Sequence, residues 1–464
     1  MKKAFALVLF FVSAALFAQD ISGPWHGLLT FPGGQLRITF TIENVEGGGY
    51  TATMLVPEQS PNALPVTSVL YENGILAFAL PDADIHYRGT LENNVFKGTF
   101  TQNRIDLPLD LGREEVKIKE KARPQEPVKP YPYHSEDVTF KNEKGSMLAG
   151  TLTLPKKAGS YPAVILVTGS GPQNRDEEML GHKPFLVLAD HLTRAGIAVL
   201  RYDDRGVGAS EGKFSTATTE DFASDAESAF RYLRTRPEIK KNKIGIAGHS
   251  EGGLIAPIVA SKNPDVAFIV LMAGSAIPGD ELMLLQNYMM GKANGMPEEE
   301  LTKLGAINRQ IYDAIKTEME PNPLRAKLQT IFDQQLKPIF ISKGIPKDQA
   351  AQYVDMQVVE MASAWYSNFI RYNPAPVLDK VQCPVLAING DKDLQVASTA
   401  NLDAIKRSAE RSGNKKVTTK VLPGLNHLIQ ESKTGSPTEY GELEQTFSPV
   451  AMKEITDWVL KVVR

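Results

Sequence analysis

The chain has one cysteine, Cys383, in 464 residues. A lone thiol closes no internal disulfide, so the fold must be held by its core. Cys383 opens the apolar run "CPVLAING" and reads as a small buried hydrophobe, not as a nucleophile. An excess of one charge is also lacking. Lys+Arg 51 against Asp+Glu 54 leave a net charge of −3. No basic block and no basic–aromatic interleaving occurs, which argues against a nucleic-acid partner. No apolar stretch reaches the roughly 20 residues that a membrane-spanning helix needs. No His, Cys, Asp or Glu cluster has metal-ligand spacing. The glycine-rich "DDRGVGAS" (203–210) has neither the G-x-G-x-x-G nor the P-loop lysine pattern. It reads as a turn fixed by Asp203 and Arg205, and no cofactor is expected.

What is present is ordered along the chain. Lys2 and Lys3 precede an apolar run, Ala4 to Phe17, followed by Ala18-Gln19-Asp20. This is the pattern of a signal peptide over residues 1–18. It predicts a periplasmic or secreted protein with no stable membrane insertion after cleavage. Leu16, three before the cut, is not small, so the cleavage point is open, as is the oligomeric state.

Residues 20–112 read as a small all-β domain, a barrel or a sandwich. "LRITFTIE" alternates apolar and polar, and further short strands follow at regular spacing between "EGGG", "ENG" and "ENN" turns. The opening "GPWHG" around Trp25 resembles the start of lipocalin-like barrels. Residues 113–134, charged and then proline-rich, predict an extended linker.

From 135 to 464 the pattern is α/β. A hairpin comes first. Apolar runs follow at 163–168, 197–203, 243–248, 267–274, 384–390 and 416–423, and they suit buried parallel strands. Amphipathic helical stretches alternate with them, which predicts a doubly wound, mostly parallel sheet. In 219–236, Phe222, Ala226, Ala229, Phe230 and Leu233 share one helical face, with Thr218 or Thr219 as cap. The last helix places Val450, Ile455, Trp458, Val459 and Val462 on one side. Between the fourth and fifth apolar runs lie about 110 residues, too many for a structureless loop. A helical cap is predicted at about 277–375. Its Met283, Met289, Met290, Met296, Met356 and Met361 would suit either an adaptable apolar wall or ordinary packing within the cap.

The chemistry centres on "IAGHSEGGL" (246–254). Gly248-His249-Ser250-Glu251-Gly252 stands between an apolar strand and a helix start, where a nucleophile elbow places its serine on a strained turn. A serine hydroxyl needs a base to take its proton. Of seven histidines, only His427, in "LPGLNHL", follows the later strands. His249 adjoins the serine, so its side chain should diverge from it. His182 is a candidate lining residue or a bystander. The third member orients the imidazole. "NGDKDLQV" offers Asp391 and Asp393. Asp393 fits better, with Gly390 before and Val396 after, and Asp391 suits a turn. An oxyanion hole needs two N–H donors. The N–H of Glu251 follows the nucleophile. The second comes from "GSGPQNRDEE", with Ser170 first and Gly171 second. The Glu251 side chain either faces the site or bonds along its helix.

"GSG" after the third strand, "DDRGVGAS", "GHSEGG", "NGDKD" and "LPGLNH" together resemble the α/β-hydrolase superfamily over roughly 135–464. The elbow and the tail "LNHLIQ…TGSPTEYGELEQTFSP" resemble a bacterial serine esterase subgroup related to serine aminopeptidase-like hydrolases. The resemblance implies hydrolysis of a small-molecule carboxylic ester through an acyl-enzyme, with a cap controlling access. "TGSGP" in place of the HGGG of many lipases weighs against long-chain lipase activity. The rivals are a peptidase or other amide or thioester hydrolase on the same scaffold, and a non-catalytic binding protein. A β module of about 90 residues is too short for a propeller of at least four sheets.

Overall fold

The computed structural model describes residues 20–31, 34–45, 47–57, 63–81, 85–102, 105–117 and 122–464. The expected signal segment, 1–18, lies outside them. The chain divides into two compact units, Met1–Glu120 and Lys121–Arg464.

In the first unit the alternating strands pair antiparallel. One sheet runs β1 (Gly23–Phe31), β2 (Gly34–Asn44), β3 (Tyr50–Leu55) and β4 (Leu64–Pro65). The other runs β5 (Ser68–Glu72), β6 (Ile75–Leu80), β7 (Ile85–Glu92), β8 (Val95–Gln102) and β9 (Ile105–Pro108). Two seams join the sheets. At one, Val66 N–H donates to Ala52 and Thr67 N–H to Ala79. At the other, Leu111 pairs with Phe96 and Gly112 with His26. The result is barrel-like closure, which removes free sheet edges. Trp25, Phe40, Phe78, Tyr87 and Phe96 fill it.

The second unit holds an eight-stranded mixed sheet in the order β10-β11-β13-β12-β14-β15-β16-β17. The predicted hairpin is β10 (His134–Lys141) and β11 (Met147–Leu154). β12 (Tyr161–Val167), β13 (Ala198–Tyr202), β14 (Ile239–His249), β15 (Phe268–Met272), β16 (Val385–Gly390) and β17 (Val417–Leu422) are mutually parallel. The central runs are apolar because both faces are covered. α1 (Pro184–Arg194) packs on one face. α2 (Thr219–Thr235) and α3 (Gly252–Lys262) pack on the other. Asp221 accepts the Thr218 N–H at 3.1 Å, closing the start of α2 as its sequence predicts.

The insertion between β15 and β16 is helical. It contains α4 (Gly279–Ala293), α5 (Glu298–Thr317), α6 (Pro321–Ile331), a π-turn (Phe332–Leu336), α7 (Lys337–Ser342), α8 (Lys347–Met361), α9 (Ala364–Arg371) and α10 (Ala375–Leu378). It has its own core around Ile311, Leu328, Phe332 and Val354. Its methionines form no single wall. Met283 and Met361 pack into that core, and Met356 is exposed. After the cap come α11 (Ser398–Ser412), α12 (Pro437–Tyr440) and α13 (Pro449–Val462).

One expectation needs correction. α13 buries Ala451, Met452, Ile455, Thr456 and Val459, while Val450 is exposed. The expected Ile455, Val459, Trp458 and Val462 do pack on the core, and only Val450, in the first turn, falls outside it. Within the expected linker, described residues on both sides of the unit boundary make specific contacts, each inside its own unit. Arg113 lies over the Trp25 ring at 3.8 Å and bonds Pro24. Arg123 donates to the carbonyls of Leu180, Gly181, Gly441 and Leu443, and Gln125 bonds the backbone of Thr446 and Phe447. Composition registers the prolines and charges but not carbonyls contributed from 320 residues away.

Candidate active site

β14 is buried over its last six residues and stops at His249. Ser250 then turns with φ +52°, and its N–H extends the ladder to Met272 at 2.9 Å. A non-glycine residue in that region stores strain, and such strain gathers at functional sites. Two glycines make the turn possible. A Cβ on Gly248 would lie 1.9 Å from the Gly252 carbonyl oxygen, and one on Gly252 would lie 2.2 Å from that of Val167. No side chain fits either gap.

The parallel strands deliver their following loops to one edge of the sheet, where open α/β sheets gather reactive side chains. His427, in the loop after β17, places Nε2 3.1 Å from Ser250 Oγ and Nδ1 2.9 Å from Asp393 Oδ2. Asp393 follows β16. Its other oxygen accepts the Gln395 and Val396 N–H groups, both at 2.8 Å, so Oδ2 is left for the imidazole. A carboxylate only accepts, so Nδ1 carries the proton and Nε2 is free to accept from Ser250. His427 is 4% exposed and Asp393 1%. Asp391 is not part of this chain of bonds, because it accepts the Gly424 N–H at 2.6 Å as a turn residue.

The loop after β12 folds back over the elbow. A Cβ on Gly169 would lie 3.2 Å from Ser250 Cβ. The Gly169 N–H is spent on Glu177 Oε1 at 2.7 Å. Among the described residues, the N–H groups of Ser170 and Glu251 meet no acceptor. Glu251 directly follows Ser250 in sequence, and Ser170 follows Gly169, which lies over it. The Glu251 side chain turns away from Ser250. Its Oε1 accepts from Thr219 Oγ1 at 2.7 Å and from Trp365 Nε1 of the cap at 2.9 Å. Burial raises its pKa and these two donors oppose the rise.

Several groups were missed or misplaced by sequence reasoning. Asp204 anchors both ends of the loop after β12. It accepts from Thr168 Oγ1 at 2.9 Å and from the Gln173 N–H at 3.0 Å. Burial pushes its carboxyl up to about 8, and Glu251 and Glu177 add to the rise. Its neighbours Asp203 and Arg205 fix the glycine-rich turn, through Arg175 and Ala209 and through Asp225 respectively. Glu177, 4% exposed, faces His249 Nδ1 at 3.0 Å, and His249 Nε2 lies 2.9 Å from the His427 carbonyl oxygen. Burial opposes charge on His249, but Glu177, the His427 carbonyl and Asp393 together outweigh it, so the His249 pKa is raised. His182 is buried away from the serine, against Thr446 Oγ1 and the Tyr440 carbonyl. The Cys383 thiol is pushed up to about 11 by burial, consistent with an inert packing role. Among the described residues no His, Cys, Asp or Glu group could hold a metal ion, and no helix is long and apolar enough to cross a membrane.

The chain is similar to several known proteins. It shares 27% identity over 338 residues with the esterase EstD of Thermotoga maritima, covering 72% of this chain and 69% of that one. It shares 30% identity over 145 residues with the thiohydrolase apmlB of Arthrinium phaeospermum, covering 31% and 44% of the two chains. A solved esterase of Pyrococcus furiosus, Pf2001, aligns over 75% of this chain and 100% of its own, with a TM-score of 0.44 and 15% identity. Residues 183–433 match the family described as serine aminopeptidase, S33. That span starts at α1 and contains Ser250, Asp393 and His427, and by it the chain belongs to the serine aminopeptidase S33 family of α/β hydrolases.

Proposed function

We propose that this protein is an exported serine hydrolase that cleaves carboxylic esters with small or medium acyl chains. The observation that carries the reading is the hydrogen-bonded series Ser250 Oγ, His427, Asp393, mounted on a strained elbow. Ser250 Oγ attacks the ester carbonyl as His427 Nε2 takes its proton. The N–H groups of Glu251 and Ser170 hold the resulting oxyanion. Collapse expels the alcohol, which takes the proton from His427, and an acyl-Ser250 remains. Water, deprotonated by His427, then attacks the acyl carbon and frees the acid. Asp393, bonded to Nδ1–H, orients the imidazole and stabilises the imidazolium.

The esterase relative supports an ester substrate. The basic and apolar residues at 2–17 support export to the periplasm or the medium. The test is turnover of p-nitrophenyl esters graded by acyl length beside aminoacyl amides, with wild type and Ser250→Ala. Ester turnover that falls by about 10⁶ in Ser250→Ala, with loss of fluorophosphonate labelling, is expected. Normal ester hydrolysis by folded Ser250→Ala would sink the assignment. Faster amide than ester cleavage would move the substrate class to peptides.

A further inference from the structure

We infer that Glu177 and His249 are positioning residues, an ion pair that ties the oxyanion loop to the loop carrying the base. The inference rests on the serine hydrolase reading above.

Glu177 is costly where it stands. It is a carboxylate with 4% exposure on a backbone at φ +51°. Burying a charge and holding a non-glycine residue in the left-handed region both oppose folding. Its Oε1 does two things at once. It accepts the Gly169 N–H at 2.7 Å and the His249 Nδ1–H at 3.0 Å. His249 continues the series, with Nε2 2.9 Å from the His427 carbonyl oxygen. A carboxylate and a carbonyl are both acceptors, so each ring nitrogen of His249 must carry a proton. His249 is therefore an imidazolium, and its raised pKa accords with that.

The consequence is mechanical. With its own N–H turned onto Glu177, Gly169 lies over Ser250 and the next peptide N–H, that of Ser170, is left without an acceptor among the described residues. At the other end the imidazolium fixes the backbone of His427, whose ring lies 4.9 Å from its own. One pair thus sets both the oxyanion donor and the base relative to the nucleophile. The ionisable groups facing it are Asp393 and His427 from the loops after β16 and β17, and Asp204 from the loop after β13. Displacement of a reacting group by about 1 Å costs about 100-fold in rate.

The test uses the full chain as wild type, Ser250→Ala, His249→Gln and Glu177→Gln, with kcat counted per fluorophosphonate-labelled Ser250. Expected is a fall in kcat of about 10- to 100-fold in each pair variant, with KM within about twofold of wild type. Counting per labelled site removes any loss due to unfolded protein. ¹⁵N-histidine NMR at neutral pH should show both His249 ring nitrogens protonated in wild type and one in Glu177→Gln. This second readout stands if His249→Gln fails to fold. Wild-type kcat in labelled His249→Gln, or one protonated nitrogen in wild type, overturns the positioning role and leaves the hydrolase reading intact. A wild-type protein that neither labels nor hydrolyses esters overturns both.

Discussion

At the scale of single residues, the environment of Asp204 makes a pH prediction. Its carboxyl is pushed up to about 8 in the folded protein by burial, against about 3.9 in an unfolded chain. Between those values the folded state holds a proton that the unfolded state has released, so stability falls as pH rises from about 4 to about 8. Below that window the contribution is fully present. Asp204→Asn keeps the shape, retains an amide oxygen that can accept as Asp204 does from Thr168 Oγ1, and never ionises. The expected outcome is a flatter dependence of Tm on pH across that window, read by thermal unfolding at several pH values. A slope equal to that of wild type would show that Asp204 is ionised throughout. Asp204 and Ser250 also differ in legibility. Ser250 is announced by flanking glycines at fixed spacing, a local steric need. Asp204 stands in a segment whose glycines suggest only a turn, and its load comes from Thr168 and Gln173, on a loop more than thirty positions earlier.

Among elements, the junction between the elbow and the cap is the informative one. Trp365 of α9 donates to the buried Glu251 carboxylate, one residue from Ser250. α9 also sets Phe369 against Leu254 of α3 and Val396 of the loop after β16. Trp365→Phe keeps the ring and removes the donor, leaving Thr219 as the remaining partner on Oε1. A loss of about 1–3 kcal/mol is expected, the cost of an under-satisfied buried acceptor, measured by urea unfolding. A change under about 0.5 kcal/mol would mean the hydrogen bond adds nothing to stability. The elements themselves were mostly readable. Runs such as "AVILVT" and "AFIVLMAG" are apolar throughout because both sheet faces are covered. The α2 stripe repeats at helical spacing, and the structure forms both kinds of element at those positions. On α13 the expected Ile455 and Val459 are buried and Trp458 and Val462 pack on the same core, but a count of large apolar residues includes the exposed Val450 and omits Ala451, which is fully buried.

For the whole molecule, the prediction concerns where the α/β unit begins. Arg123 and Gln125 bond backbone carbonyls and N–H groups of the 440–447 loop, and His182 holds the same loop from beneath. A chain beginning at residue 121 should therefore unfold at a higher temperature than one beginning at 135, by several degrees. Equal Tm values would return 122–133 to the status of a spacer. The sequence by itself determined the class of fold, the insertion of a cap and the identity of Ser250, Asp393 and His427 as candidates. These follow from local rules: hydrophobic period, glycine at steric pinch points, and the chain order of loops after successive strands. Only the tertiary structure decided that Glu251 faces the cap, that His249 links Glu177 to the His427 backbone, and that Arg123 and Gln125 bond the 440–447 loop. Each of those depends on one buried polar group meeting another far along the chain. Such a group must find a partner when water is excluded, but which partner it finds is set by packing, not by its neighbours in sequence.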